Sequence, residues 1–288
     1  MSEDATNVLP PPIPGGRNVS SNGSPPVYGG STAESGEGGA VVAPLSPPPP
    51  RFAWSPSPAS QGRNQESALG EVKLNVNGEQ LILHPSGALW WAAERTLVFA
   101  DLHFEKGSSF ARGGQLLPPY DTRSTLARIS ALAQHYTSER IIALGDSFHD
   151  RDAANRLDEN ERTVLRELGY NTEWIWIEGN HDPHPPTWLG GFVTSEIAIG
   201  GLIFRHLPSP HPAKGEIAGH LHPCAKVTRR GRSIRARCFA SDGHRMVLPA
   251  FGAYTGGLDV RERPLRSLFA DRFLAYVLGR ARVYAVAA

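Results

Sequence analysis

The sequence predicts an α/β protein built on mixed sheets, and three observations carry that reading. Short, wholly apolar runs at Leu97-Val98-Phe99-Ala100, Ile141-Ile142-Ala143-Leu144 and Trp174-Ile175-Trp176-Ile177 read as buried strands. Helical periodicity occupies intervals between them, at Asp121 to Tyr136 and Glu159 to Leu168. After the third run, strand patterns dominate, so strand–helix alternation gives way to a succession of strands.

Taken in order, the elements begin near residue 70. Before that point lie 13 of the 25 prolines, with glycine and serine filling most of the remainder. Such a stretch cannot bury enough apolar area to offset its conformational entropy, so residues 1–70 are expected to be a disordered tail with polyproline II character. It reads either as a partner-docking tether or as a dispensable extension. The folded domain is expected over 71–288. Val72, Leu74 and Val76 alternate with polar residues, Asn77-Gly78 is a type I′ hairpin signal, and Leu81 and Leu83 continue the second arm. The helix from Asp121 places Leu126, Ile129, Ala133 and Tyr136 on one stripe, with Asp121 itself as N-cap. Gly169 is expected to close the helix that starts at Glu159. Strands are then expected at 197–205, 215–218, 233–240 and 246–250, followed by a C-terminal pair around Gly279-Arg280. No internal repeat is present.

Bulk composition excludes little but excludes it clearly. Net charge is +1 and 40% of residues are hydrophobic, so a nucleic-acid surface would have to be a local patch on a well-cored protein. Cys224 and Cys238 are the two cysteines, enough for one disulfide at most. No stretch of 18 or more apolar residues occurs, and the N-terminus lacks the apolar core of a signal peptide; the expectation is a cytoplasmic protein with no membrane partner.

The carboxyl ends of the apolar runs are more informative. Strand 97–100 leads into Asp101-Leu102-His103, strand 141–144 into Gly145-Asp146-Ser147-Phe148-His149-Asp150, strand 174–177 into Gly179-Asn180-His181-Asp182, and strand 215–218 into Gly219-His220-Leu221-His222. Ligands bind at the carboxyl ends of strands in α/β sheets. In an extended segment, residues i and i+2 point the same way, so Asp101 with His103, and His220 with His222, could each grip one ion. Glycines at 145, 179 and 219 permit sharp turns and close backbone approach. The donors are nitrogen and oxygen without thiolate, which suits Mn²⁺, Fe²⁺ or Zn²⁺ and excludes a cysteine-type structural zinc site. Each motif alone is weak; four in one chain, each after an apolar strand, are not a chance assembly.

This order of motifs resembles the calcineurin-like metallophosphoesterase superfamily, over residues 71–288. The resemblance implies a four-layer α-β-β-α sandwich of two mixed sheets. It also implies that Asp101, His103, Asp146 and His222 hold one divalent metal and Asp146, Asn180, His206 and His220 a second, with Asp146 bridging. His206 lies in Phe204-Arg205-His206-Leu207-Pro208, after a strand, as the superfamily's single-histidine motif does. By the same resemblance His181 touches the scissile phosphate, with Asp182 orienting its ring.

Two features narrow the substrate toward nucleic acid. Residues 145–150 are similar to the GD-x-F-H-D element of double-strand-break-repair nucleases, which gives His149 a catalytic role at the phosphodiester; the alternative is a histidine that orients a ligand by hydrogen bonding. Residues 226–237 carry Lys226, Arg229, Arg230, Arg232, Arg235 and Arg237 with no acid among them. They form either a phosphate rail, with Arg229, Arg230 and Arg232 as DNA contacts, or a solvated basic edge strand. A finer resemblance, to the bacterial ligase-associated DNA-damage-response endonucleases of PdeM type, rests on Asp101 to Gly107, Leu116 to Thr122 and Pro249 to Gly257. It implies manganese, and DNA, a ligase and a helicase as partners; the long tail is a departure from it. Lys106 and Arg112 are further candidates for phosphate contact. The rival expectations are a small-molecule or nucleotide phosphodiesterase and, less favoured because no ligand is missing, a non-catalytic scaffold.

Overall fold

The computed structural model describes residues 70–229, 231–269 and 272–288. The expected tail therefore lies outside the described residues except for Gly70, whose carbonyl accepts a hydrogen bond from Val283 N (2.9 Å). Seven strands form the first sheet in chain order: β1 (Val72–Val76), β2 (Glu79–Leu83), β3 (Leu89–Trp91), β4 (Thr96–Phe99), β5 (Arg140–Leu144), β6 (Glu173–Ile177) and β7 (Phe192–Thr194). The pairs from β1 to β4 are antiparallel and those from β4 to β7 parallel, so the sheet is mixed. Between its strands run α1 (Lys106–Arg112), α2 (Asp121–Tyr136), α3 (Ala153–Arg156) and α4 (Glu159–Asn171).

The second sheet takes β8 (Glu196–Ile199), β9 (Leu202–Arg205), β10 (Glu216–Ala218), β11 (Pro223–Arg229), β12 (Arg232–Ser241), β13 (Met246–Val247) and β14 (Leu258–Asp259). Their spatial order is β14-β11-β12-β13-β10-β9-β8, and β15 (Leu274–Leu278) pairs with both β12 and β16 (Val283–Ala287). The short helix α5 (Arg263–Arg266) covers the outer face of this sheet.

Side-chain alternation in the parallel strands explains the layers. Val98, Ile142, Leu144, Ile175 and Ile177 face Leu202, Phe204, Ile217, Phe239 and Met246 of the second sheet. Their neighbours Leu97, Phe99, Ile141, Ala143, Trp174 and Trp176 face Leu126, Ile129, Leu132 and Leu165 of α2 and α4. Strands buried on both faces read as continuous apolar runs because each has a core on either side. A third core, with Ala240, Val247, Leu265, Phe269 and Phe273, lies on the far face of the second sheet. The architecture is the expected α-β-β-α sandwich, with the fourth layer reduced among the described residues to α5 and its flanks.

The β1–β2 hairpin turns where expected, with Asn77 at φ 51° and Gly78 at φ 94°. Three local expectations need correction. Asp121 is the first helical residue, not the cap; its carboxylate accepts from Gly107 N (2.8 Å) and so ties α2 to the start of α1. Gly169 does not end α4, which continues to Asn171; a Cβ at this position would sit 3.3 Å from the Leu189 carbonyl, so the glycine serves close packing of the Thr187–Leu189 turn that lies beyond β6. The strand expected over 197–205 is the β8–β9 hairpin, broken by Gly200-Gly201. Both cysteines are buried, free thiols. Among the described residues no helix is long and apolar enough to cross a membrane.

Helix α4 begins with a capping box that the sequence reading missed. Asp158 accepts from Glu161 N (2.8 Å), and the Glu161 carboxylate accepts from Asp158 N (3.0 Å). Glu161 is buried, and that burial, with the charge of Glu105 adding to it, pushes its pKa up to about 6 against the opposing pull of the Asp158 N–H. A carboxyl raised above its unfolded value takes up a proton on folding, so its contribution is full at low pH and is lost as pH rises from 4.5 through about 6. Glu161→Gln keeps the acceptor and removes the charge. It should melt higher than wild type at pH 7.5, by roughly 2–4 °C for about 1 kcal/mol. The difference should vanish below pH 4.5, measured by scanning calorimetry at both pH values.

Candidate metal centre

Five chain segments meet at the carboxyl ends of β4, β5, β6, β9 and β10. They bring the seven histidine, aspartate and asparagine side chains of the sequence reading together. Asp101, His103 and His222 form one group, with donor atoms within 4.8 Å of one another; Asp146, His206 and His220 form a second on the same criterion. Asn180 joins the second group, its Oδ1 lying 2.9 Å from His206 Nε2. His103, His149 and His181 make a third group, contiguous with the first through His103.

The spacing inside these groups is that of ligands around cations. His103 Nε2 lies 3.4 Å from His222 Nε2, and His206 Nε2 lies 3.1 Å from His220 Nδ1. A carboxylate stands beside each pair: Asp101 Oδ1 is 3.3 Å from His222 Nε2, and Asp146 Oδ2 is 3.4 Å from His206 Nε2. Two aspartates and four imidazoles converging in this way fit divalent metals with nitrogen and oxygen ligands. His206 is also set in its tautomer, because Nδ1 donates to the Leu144 carbonyl (2.9 Å) and leaves Nε2 facing the group.

The local backbone differs from the extended geometry that the sequence suggested. Asp101 (φ 54°), His103 (φ 46°), Asp146 (φ 46°), His220 (φ 69°) and His222 (φ 44°) all occupy the left-handed region. Asp101 and His103 still reach the same group, but through alternate left-handed residues, a conformation that costs L-residues roughly 1–2 kcal/mol each. The structure holds this strain with hydrogen bonds. His103 N donates to the Asp146 carbonyl (2.9 Å), and His220 N donates to both Asp101 oxygens (3.1 and 3.0 Å). Glycines supply the close approaches. Gly145 (φ 68°) turns the chain where a Cβ would lie 2.6 Å from His206. Gly179 and Gly219 have no positive φ and are needed for proximity alone: their Cβ atoms would fall 2.1 Å from Asp146 N and 2.9 Å from Asp101 Oδ2.

Electrostatics follow the packing. Burial opposes the charge on Asp146, but hydrogen bonds from His206 and from His181 N (2.9 Å) outweigh it and hold the carboxyl below its ordinary range. Burial depresses His103 to about 2, with His222 adding to the effect, and depresses His149 to about 4, with Lys106 adding. His220 is lowered by burial and by His206. His206 moves up, because Asp146 and Asp101 together overcome its burial.

Around the groups, several expected roles change. His181 Nδ1 bonds to the His149 carbonyl (2.7 Å), so that carbonyl, and not Asp182, orients the ring. Asp182 is buried; one oxygen accepts from Phe148 N (3.0 Å), the other has no partner, and burial pushes its pKa up to about 7. His149 stacks on His181 with ring centroids 5.3 Å apart, and its Nδ1 is 3.4 Å from His103 Nδ1, which places it against a ligand as well as beside the open side of the site. Lys106 is half-buried and close enough to feel Asp101 and Asp146; burial lowers its pKa against their opposing charge. Arg112 is not a free cation: it pairs with Asp150 (3.4 Å) and Asp152 (3.9 Å). In the basic run, Arg235 and Arg237 are structural, donating to the carbonyls of Gly257 and Ala250. Arg232 is exposed; Arg230 and the Arg229 side chain lie outside the described residues. Sequence reasoning missed Arg156, whose guanidinium grips Asp150 (2.9 and 2.7 Å) and the Glu105 carbonyl (3.3 Å), and no motif signals it.

The comparison with solved structures now decides the family. Pseudomonas putida nuclease MPE is 32% identical, with a TM-score of 0.60 over 75% of this chain and 100% of its own. This chain belongs to the calcineurin-like metallophosphoesterase superfamily. The E. coli phosphoesterase Yfce overlaps 67% of the chain and 98% of its own length at 13% identity and a TM-score of 0.33, too slight a likeness to carry argument. No protein-family model and no curated protein matches.

A tight constraint in this metallophosphoesterase centre gives its test. In Gly179→Ala the new Cβ would meet Asp146 N at 2.1 Å and Asp146 Oδ1 at 2.4 Å, both on the aspartate expected to bridge the two groups. Relief of that clash moves Asp146 or the Asn180 loop, at a stability cost of about 1–3 kcal/mol. The variant should fold but retain less than half of the divalent metal that the wild type binds, read by elemental analysis after gel filtration; wild-type metal content would refute the assignment.

Proposed function

We propose that the chain is a metal-dependent phosphodiesterase acting on DNA, a nuclease that works with two divalent cations, Mn²⁺ before Fe²⁺ or Zn²⁺. The observation that carries the reading is the adjacency of the two donor groups, with Asp146 between His206 and His181. Asp101, His103, Asp146 and His222 would hold one cation, and Asp146, Asn180, His206 and His220 the other. Cations bound there would offset the negative charge of a phosphodiester and activate water at neutral pH.

The chain's own groups supply positioning and proton handling. His181 Nδ1 is committed to the His149 carbonyl, so Nε2, which lies 3.9 Å from Asp146 Oδ2, is the nitrogen left for a phosphate oxygen or a leaving oxygen. Its side chain is 40% exposed, whereas Asp146 is 3% exposed, which puts His181 between the centre and incoming substrate. His149, held low by burial, is a neutral imidazole at pH 7 and contributes hydrogen bonding, not charge. Lys106 adds a cation on the same side.

DNA is preferred as substrate because the similar Pseudomonas putida protein is a nuclease and because the β11–β12 hairpin leaves the centre directly after His222. The Arg229–Arg232 backbone pair at its far end stands about 20 Å from His222 along the strand, a reach of several nucleotides. A DNA-damage role in the cytoplasm beside a ligase and a helicase follows from the resemblance of the sequence to the ligase-associated endonucleases.

Two experiments test this. Cleavage of defined single-stranded, duplex and flapped DNA should require added Mn²⁺, and Asp146→Asn should lower the rate more than a hundredfold, about 3 kcal/mol. Hydrolysis confined to free nucleotides would favour a small-molecule phosphodiesterase instead. Changing Arg229, Arg230 and Arg232 to Ala should flatten the dependence of log affinity on log salt by roughly two units, with bis-p-nitrophenyl phosphate turnover unchanged. An unchanged slope would place the DNA elsewhere.

A further inference from the structure

A cavity of about 270 Å³ lies beside the metal centre, and neither the metal ligands nor the basic hairpin makes use of it. Phe148, Ala154, Pro183 and Pro186 give it apolar walls, and Arg151 and His184 stand at its rim. Phe148 and Ala154 are buried, at 1% and 5% exposure, so the walls belong to the core that also supports the centre. The cavity and the site share two chain segments. Phe148 precedes His149, and Asp182, another lining residue, follows His181; Phe148 N is bonded to the Asp182 carboxylate (3.0 Å). Adjacent residues are about 3.8 Å apart at Cα, so two residues that line the cavity are chain neighbours of the His149–His181 ring pair.

The rim is cationic and available. Asp150 also lines the cavity, but Arg156 holds it at 2.7 Å. Arg151 and His184 are exposed and make no hydrogen bond or ion pair among the described residues. The volume is below the roughly 300–1,000 Å³ usual for drug-sized ligands and suits one flat ring system. Pro183 and Pro186, both partly exposed, give flat faces for stacking, and an unpaired guanidinium at the mouth suits a phosphate.

We propose that this cavity is a nucleobase subsite. It takes the base of the nucleotide joined to the scissile phosphate, while Arg151 contacts the next phosphate along the strand. This rests on the phosphodiesterase reading of the metal centre and adds to it a reason why the chain would distinguish nucleic acid from simple diesters.

The test uses the full-length, Mn²⁺-loaded protein and two kinds of substrate. One is a single-stranded oligonucleotide with an abasic residue at one position, compared with its intact counterpart. The other is methyl p-nitrophenyl phosphate, which carries no base and reports the metal chemistry alone. Wild type should cut the phosphates flanking the abasic residue about tenfold more slowly than their intact equivalents, a typical consequence of losing one base stack. Ala154→Leu narrows the cavity and should cut both at the slower rate, with methyl p-nitrophenyl phosphate turnover within about twofold of wild type. Arg151→Ala, on the surface and safe for folding, should raise KM for the oligonucleotide about fivefold and reduce the salt slope by about one, with kcat unchanged. Equal wild-type cutting of abasic and intact strands overturns the subsite, as does an Ala154→Leu protein that still discriminates. Should Ala154→Leu not fold, an unchanged KM in Arg151→Ala overturns it. Failure of wild type to hydrolyse either substrate overturns the phosphodiesterase reading, and the subsite with it.

Discussion

Imidazole nitrogens brought within 3.4 Å of one another repel unless a cation or a proton lies between them, and the rest of this structure is arranged around that crowding. Four histidines and two aspartates present their donor atoms in two adjacent groups; Asp101, His103, Asp146 and His206 are buried, and His220 and His222 partly so. Such an arrangement has to be imposed by rigid surroundings. The imposing element is the run of parallel strands β4, β5 and β6, closed on both faces by apolar cores, so that the loops at their ends have little freedom to relax. Left-handed backbone at Asp101, His103, Asp146, His220 and His222 is strain concentrated in those loops and maintained by the packing behind them.

The aspartates illustrate how charge is kept inside. Asp101 is fully buried and accepts two hydrogen bonds from His220 N; Asp146 accepts from His181 N and faces His206. Each is supported by backbone from the partner motif, so the motifs interlock as well as converge. Asp182 lies two residues from Asn180, yet burial dominates there and its second oxygen lacks a partner. The same residue type therefore serves three roles, set by what the backbone offers it.

Outside the centre, many charged side chains are engaged in holding loops. Arg156 and Arg112 fasten Asp150, and with it the segment that carries His149. Arg237 and Arg128 both donate to the Phe251 carbonyl region, bracing the loop whose Gly252 is pressed against the Asp101 segment. Among the described residues, Lys106 beside the donor groups, Arg151 and His184 at the cavity, and Lys226 and Arg232 on the hairpin make no such bracing hydrogen bond or ion pair.

By itself the sequence determined the layers and the ligand types. Apolar runs such as Ile141 to Leu144 have no alternation because they are buried on both faces, and a run of that length can be recognised without knowing its neighbours. Helix α2 was legible from its stripe, and the donors from their place after strands. Local signals were weaker where a residue had two uses. Asp121 looks like a cap but is drawn to Gly107; Gly169 looks like a stop but is small to admit Leu189; Asp182 looks like an orienting acid but the His149 carbonyl is the partner of the ring nitrogen. Tertiary structure alone decided the left-handed geometry of the ligand loops, the division of the basic run into bracing and exposed arginines, and the cavity between Phe148 and Pro186. These depend on contacts between segments far apart in the chain, such as Phe148 N to the Asp182 carboxylate, Arg237 to the Ala250 carbonyl or Gly252 N to the Asp101 carbonyl, and no local pattern encodes a distance across the fold.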